Sequence, residues 1–519
     1  MNLTQALHRN AKNHPHGIAT ICGERQQSYS QLHDRVARLA AGLHSIGVSQ
    51  GDRVGILALN SDFYLEAMYA IYWVGAVVNP VNIRWSADEI AYALDDCQTR
   101  VLFVDDRFAS LMPSLLTRSE SLQTLIFCGE GDLPDNMLAF DRLIDQHPPI
   151  VDAMRSGDEL AGIFYTGGTT GFPKGVMLSH SNLYTNALSA VIDNIASRSA
   201  IALHVAPMFH LADCVFLNAH LMTASTNVIV PQFDPQQTLQ AIEDQGVTHI
   251  LLVPTMIQIL VDHPGLYNYN LQSLQSILYG ASPISPAVLE RAMAAFPQVG
   301  FIQAYGMTEL SPVVATLSAY HHSTKGRAKG DKLSSAGQAN LISEVRIVDE
   351  QDRPVPTGVL GEIVARGPGM MLGYWNREEE TETTLRGGWM HTGDGGYMDE
   401  QGFIFVVDRI KDMIVSGGEN IYSLEVEAAL DKHPAVTMSA VVGIPSEEWG
   451  EMVHAAVVFK PGQSCSREEL SAHCKQLIAS YKVPRSYSFE QFLPVSGAGK
   501  ILKREIRNPF WTDHKRLVN

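Results

Sequence analysis

Residues 165 to 175 read Tyr-Thr-Gly-Gly-Thr-Thr-Gly-Phe-Pro-Lys-Gly and follow directly on the apolar run 161–164. Gly167, Gly168, Gly171 and Gly175 let backbone amides approach an anion, Thr166, Thr169 and Thr170 offer hydroxyl donors, and Lys174 adds a point charge. Those residue types in that order make a phosphate cradle. The segment is not the Walker loop, whose Gly-Lys-Ser/Thr ending is replaced here by Pro173-Lys174-Gly175. No Gly-x-Ser-x-Gly elbow occurs, which argues against an α/β hydrolase. The six cysteines are scattered without a Cys-x-x-Cys pair, so neither a zinc site nor a disulfide framework is expected, and a reducing cytoplasm is.

The elements that must position this cradle are legible in outline. A chain of 519 residues exceeds one core and implies several modules. With 45% apolar and 18% charged residues it reads as folded and soluble rather than disordered. A net charge of -17 makes a general nucleic-acid or anionic-membrane binder a poor fit, although residues 475–519 hold nine cations against three anions. The first five residues lack a basic region followed by an apolar core, so no secretory signal is expected. The longest apolar run, 67–78, is too short to span a membrane and reads as a buried helix.

Leu32, Val36, Leu39, Leu43 and Ile46 fall at helical spacing, with Ser30 as the predicted N-cap and Gly47 past the last turn. Short apolar runs at 54–59, 101–104, 124–128, 250–253 and 276–279 alternate with helical stretches such as 235–245, which implies helix-covered parallel sheets. From residue 345 short strands divided by Gly and Pro predict a smaller, β-barrel-like piece. The remainder reads as a compact α+β unit. The expected fold is therefore α/β, with a large N-terminal domain over 1–408 and a small C-terminal lid domain over 409–519.

The chain resembles the adenylate-forming superfamily of acyl-CoA synthetases, aryl-CoA ligases, luciferases and peptide-synthetase adenylation domains. The resemblance is carried by the cradle and by six further segments in the family's order: 206–210 (Ala-Pro-Met-Phe-His), 279–283 (Tyr-Gly-Ala-Ser-Pro), 303–309 (Gln-Ala-Tyr-Gly-Met-Thr-Glu), 388–394, 408–421 and 494–503. It implies the following roles. Tyr305 stacks on the adenine, against which Gly280, Ala281 and Ser282 also lie, with Gln303 and Gly306 beside it; Thr308 bonds a phosphate oxygen and Glu309 holds Mg²⁺. Asp394, expected in a Gly-rich turn, and Arg409 reach the ribose. Lys411 is the hinge between domains, Gly417 and Gly418 flank the pantetheine passage, and Lys500 is the adenylation lysine on a glycine-flanked loop. His210 gates or positions the carboxylate.

The implied activity is AMP-forming ligation of a carboxylic acid to CoA, with ATP, Mg²⁺ and CoA as cofactor and co-substrates. Departures from the family pattern are Gly167 where Ser is common, Gly395 where a larger apolar residue is usual, and Val495-Ser496 before the lysine loop. A peptide-synthetase domain would carry an Asp near His210, a luciferase of the beetle type would end in a peroxisomal address, and a non-catalytic ATP-binding protein would not need Lys500. The expected acyl wall, from Tyr184 through 210–216, Met256 and 310–314, is apolar. It favours a medium- or long-chain fatty acid, with cinnamate-type and benzoate-type acids next. The expected partners are the small acid, ATP and CoA, with no nucleic acid and no membrane insertion; a homodimer is left open.

Overall fold

The computed structural model describes residues 1–166, 173–417, 419–496 and 499–511. Among these residues the strands form four sheets. The largest has nine strands, and its centre is parallel, running through Gly300–Gly306, Ser276–Gly280, His249–Leu252, Ile201–His204, Thr226–Ile229 and Ile18–Cys22. The second has eight strands and contains Leu160–Thr166 paired antiparallel with Lys174–Ser179. Runs such as Val101–Val104 and His249–Leu252 are buried at every residue, as strands covered on both faces must be. That is why they appear in the sequence as continuous apolar stretches rather than alternating ones.

The amphipathic helix expected from residue 30 spans Tyr29–Ser45, and its N-cap is Ser28, not Ser30. Ser28 Oγ accepts from the Gln31 amide at 3.3 Å while the Gln31 side chain accepts from the Ser28 amide at 2.8 Å. This reciprocal capping box satisfies two amides, which decides the start in favour of Ser28. The apolar run at 67–78 is split. Helix Asp62–Trp73 is buried all round, a left-handed Gly75 (φ +82°) turns the chain, and strand Val77–Pro80 follows. Two carboxylates inside that helix are neutralised by Arg25 on Asp62 (2.6 Å) and Arg35 on Glu66 (2.8 Å).

The β-rich piece is a four-stranded antiparallel sheet in the order Glu344–Val348, Gly361–Arg366, Met390–Met398, Ile404–Arg409. Beyond it a smaller α+β domain has its own sheet, built around Val436–Ser446, Gly450–Phe459 and Ser486–Glu490. Its separate core includes Ile414, Val426, Leu430, Val441, Val453 and Leu470. The two domains touch through a few defined bonds: Gln258 donates to the Thr437 carbonyl at 2.9 Å and Arg84 to the Ser496 carbonyl at 2.7 Å. Among the described residues no helix is long and apolar enough to cross a membrane.

Asp431, at the C-terminal end of helix Ser423–Leu430, accepts a hydrogen bond from Ser439 (2.8 Å), and burial pushes its pKa up to about 7. A carboxyl raised in the folded state favours folding below its unfolded value near 4, and that contribution is lost as pH rises through 7. Asp431→Asn is expected to match the parent protein's stability at about pH 3.5, below the unfolded carboxyl's value. At pH 8 it should exceed it by about 1–2 kcal/mol in chemical denaturation of the C-terminal domain.

Candidate active site

Strands Ser276–Gly280 and Gly300–Gly306 run parallel with Gly280 opposite Ala304, so both release their chains at one edge of the large sheet. The edge beyond the carboxyl ends of parallel strands is where α/β folds collect ligands. Two glycines are sterically required there. A Cβ on Gly280 would sit 2.2 Å from the Ala304 carbonyl oxygen, and one on Gly306 would sit 1.8 Å from that of Pro312. Ala281 follows in the left-handed region (φ +68°), and Ser282 is half-buried. After Gly306 the chain makes a short 3₁₀ turn, Thr308–Leu310, that carries Glu309 inward to 6% exposure while Thr308 stays half-exposed. Gln303 accepts from the Tyr279 hydroxyl at 3.3 Å.

Asp394 lies in strand Met390–Met398, not in a turn, just after a left-handed Gly393 (φ +69°), and is paired in register with Arg409. Both of its oxygens are engaged: Arg409 Nε meets Oδ1 at 2.6 Å and the Tyr305 hydroxyl donates to Oδ2 at 2.7 Å. Each carboxylate oxygen has two lone pairs, so the group still accepts from a sugar. Burial and the neighbouring Asp394 hold the Tyr305 phenol far above its usual range, so it acts as a donor. Burial pulls the Arg409 guanidinium down, but Asp394 and Tyr305 more than offset it.

Lys500 enters this cluster from the small domain. Its backbone amide donates to Ser496 Oγ at 3.1 Å, and the neighbouring Gly499 lies against Val253 and Thr255 of the large domain. Burial lowers the pKa of its ammonium first, then Arg409; Asp394 and Glu309 oppose the shift, and Lys411 adds to it. Lys500 is thus electrostatically coupled to Arg409, Asp394 and Glu309, and also to Lys411, which sequence reasoning treated only as a hinge. Burial and Arg409 lower Lys411 as well.

The strand leaving the cradle begins at Lys174, opposite Thr166. Lys174 is paired with Glu380 and lies 5.3 Å from the centroid of the Tyr374 ring. Gly167, Gly168, Thr169, Thr170 and Gly171 lie outside the described residues, as does Gly418. Gly417 is left-handed (φ +60°), and a Cβ there would meet the Trp449 ring at 2.8 Å, within the small domain itself. His210 precedes helix Leu211–Met222, with its ring 4.2 Å from that of Phe209.

The expected acyl wall needs correction. Leu211, Cys214, Val215 and Phe216, on helix Leu211–Met222, are buried in the main core together with Leu310 and Val314; the helix is buried on nearly every side, its Asp213, Asn218 and His220 included. Tyr184, His210 and Met307 stay partly exposed, and Met256 instead lines a cavity of about 420 Å³ between the domains, with Ile83, Ile259 and Phe492.

Residues 7–375 match the AMP-binding enzyme family and residues 425–500 match the AMP-binding enzyme C-terminal domain. The chain belongs to the AMP-binding enzyme family. It is 38% identical over 507 residues to a feruloyl-CoA synthase of Amycolatopsis sp, covering 97% of this chain and 98% of that one. It is 33% identical to the medium/long-chain-fatty-acid–CoA ligase FadD8 of Mycobacterium tuberculosis, covering 98% and 90%. Among solved structures, the o-succinylbenzoate CoA synthetase of Bacillus subtilis bound to its acyl-adenylate superposes with a TM-score of 0.85 at 29% identity, covering 98% of each chain. Such AMP-binding enzymes are AMP-forming acid–CoA ligases that use ATP, Mg²⁺ and CoA, and the chain is an acyl- or aryl-acid ligase of this kind.

Sequence reasoning missed three contacts in this AMP-binding enzyme. The Tyr374 hydroxyl donates to Glu309 Oε1 at 2.8 Å, Glu380 pairs with Lys174, and Asp408 accepts from the Ser423 amide at 2.5 Å and from its hydroxyl at 2.6 Å. The only sequence signal for the first was the Gly-Tyr pair at 373–374, short enough to pass as a turn. For the glycine contact at the sheet edge the expectation is sharp. Gly280→Ala forces a backbone shift and should cost about 1–3 kcal/mol in denaturant unfolding, with weakened ATP binding by calorimetry.

Proposed function

We propose that this ligase acts as a two-step enzyme whose C-terminal domain, beginning near residue 409 and hinged at Lys411, carries Lys500 to an ATP-bound carboxylate and then withdraws it. The observation that supports this most is the Arg409–Asp394 ion pair at the domain boundary, with Gly499, the neighbour of Lys500, lying against Val253 and Thr255 of the large domain. A carboxylate is a poor acyl donor because oxide is a poor leaving group. In the first step its oxygen attacks the α-phosphorus, pyrophosphate departs with the electron pair of the broken P–O bond, and a mixed anhydride forms. Lys500 and Thr308 are the chain's donors to the phosphoryl oxygens that gain charge, joined by the cradle amides, and Lys174 holds the outgoing phosphates. Tyr305 packs on the adenine, with Gly280, Ala281, Ser282, Gln303 and Gly306 around it, and Asp394 and Arg409 hold the ribose.

Glu309 fits a hard divalent cation. Its buried carboxylate is the hard oxygen donor that would hold the ion, which would supply neutralisation of phosphate charge. In the second step the CoA thiolate attacks the acyl carbonyl and AMP leaves; Gly417 and Gly418 flank the pantetheine arm once the domain has turned. His210 positions the carboxylate. A cytoplasmic setting suits the six free cysteines.

For the acid, we favour an aryl substrate of the cinnamate type. Filling of the expected long wall by core side chains, with Tyr184, His210 and Met307 left partly exposed, supports a flat, compact acid, and the feruloyl-CoA synthase relative supports the same class. The fatty-acid reading draws support from FadD8 and from the apolar side chains of the interdomain cavity. A panel of ferulate, cinnamate, benzoate, octanoate and palmitate, scored for pyrophosphate and thioester, separates the two. Cinnamates turning over at least tenfold better in kcat/KM supports the aryl reading, and preference for the aliphatic acids replaces it.

Lys500→Ala should lower adenylation by about 10²–10³ while supplied acyl-adenylate is still converted to thioester. Equal loss of both would refute the division of labour. Because its pKa is lowered, Lys500 is protonated below and neutral above a value short of an ordinary lysine's. The adenylation rate should therefore fall on the alkaline side before about pH 10.4, and Lys500→Arg should shift that limb upward.

A further inference from the structure

We propose that Tyr374 is a positioning residue that fixes which oxygen of Glu309 meets the metal, and so couples the cradle strand to the magnesium-bound phosphates. This rests on the reading of Glu309 given above. Tyr374 sits on the short strand Gly373–Tyr374, paired antiparallel with Lys174–Ser179 through Gly373 opposite Met177 and Tyr374 opposite Val176. It is thus hydrogen-bonded, through the backbone, to the strand that leaves the phosphate loop.

Its own backbone is anchored: the Tyr374 amide donates to Thr381 Oγ1 at 2.9 Å, and that hydroxyl donates to the Arg377 carbonyl at 2.7 Å. The phenol then donates to Glu309 Oε1 at 2.8 Å, while the Met371 amide donates to the Glu309 backbone carbonyl at 2.9 Å. Glu309 is therefore clamped to one short segment at both its main chain and its side chain. A carboxylate oxygen can only accept, so the Tyr374 hydroxyl is the donor in this contact.

A carboxylate free to rotate offers a cation either oxygen or both. The phenol bond occupies one lone pair of Oε1 and limits the carboxylate's rotation, so Oε2 would be the oxygen better placed for the cation before the nucleotide arrives. The ring of the same tyrosine faces the Lys174 ammonium, so one side chain touches both the cation of the phosphate loop and the carboxylate of the metal site.

The test compares ATP binding with and without Mg²⁺ by calorimetry, in the full-length parent enzyme and in Tyr374→Phe. The parent should bind ATP more tightly with Mg²⁺. Tyr374→Phe should lose about 10- to 100-fold of that gain, keep its metal-free ATP affinity, and need correspondingly more Mg²⁺ for half-maximal adenylation. Conversion of supplied acyl-adenylate by CoA should be retained. Equal weakening of ATP with and without Mg²⁺, or an unchanged Mg²⁺ dependence, overturns the proposal. If Tyr374→Phe does not fold, Thr381→Val, which keeps the phenol but frees its backbone anchor, should raise the Mg²⁺ requirement in the same direction; no rise overturns it equally. A parent enzyme whose ATP affinity ignores Mg²⁺ refutes the underlying reading of Glu309 instead.

Discussion

A concentration of positive charge around one buried carboxylate governs this molecule. Arg409 is ion-paired to Asp394, and burial together with the Arg409 charge lowers the ammonium pKa of both Lys500 and Lys411.

The joint between domains is itself a polar network. Asp408, the residue before Arg409, binds the Ser423 amide and hydroxyl at the start of helix Ser423–Leu430, and Lys503 bridges the Ser423 hydroxyl (2.5 Å) to Glu427 (2.8 Å). A carboxylate at a helix N-terminus is favoured by the helix dipole. Lys503 lies three residues after Lys500, so the loop that delivers the lysine is fastened to the same helix that Asp408 caps. Of these bonds, the Asp408–Ser423 pair crosses residue 411, so it fixes the small domain to the end of strand Ile404–Arg409.

Much of this architecture was legible in the sequence because its signals are local. Continuous apolar runs marked the strands at 101–104 and 276–279, and the Pro-started helix Pro235–Gln245 appeared with its predicted bounds. The N-cap at Ser28 was missed because two serines compete there and only the reciprocal Gln31 bond decides between them. The site was legible as a set of segments, since each motif carries its glycines and polar groups within a few residues. Their partners were not. Tyr374 reaches Glu309 across 65 residues, and Glu380 reaches Lys174 through a side-chain pair that no spacing encodes. The acyl wall was misread for a related reason: the apolar residues of helix Leu211–Met222 look the same in sequence whether they line a pocket or fill a core.

The account stands or falls on direct attack of the acid's oxygen on the α-phosphorus. The decisive measurement uses a turned-over acid doubly labelled with ¹⁸O in its carboxylate, with ATP, Mg²⁺ and CoA, followed by mass spectrometry of the products. The account predicts one ¹⁸O in AMP, one in the thioester carbonyl and none in pyrophosphate. Label in pyrophosphate or phosphate, or AMP free of label while thioester forms, would contradict it.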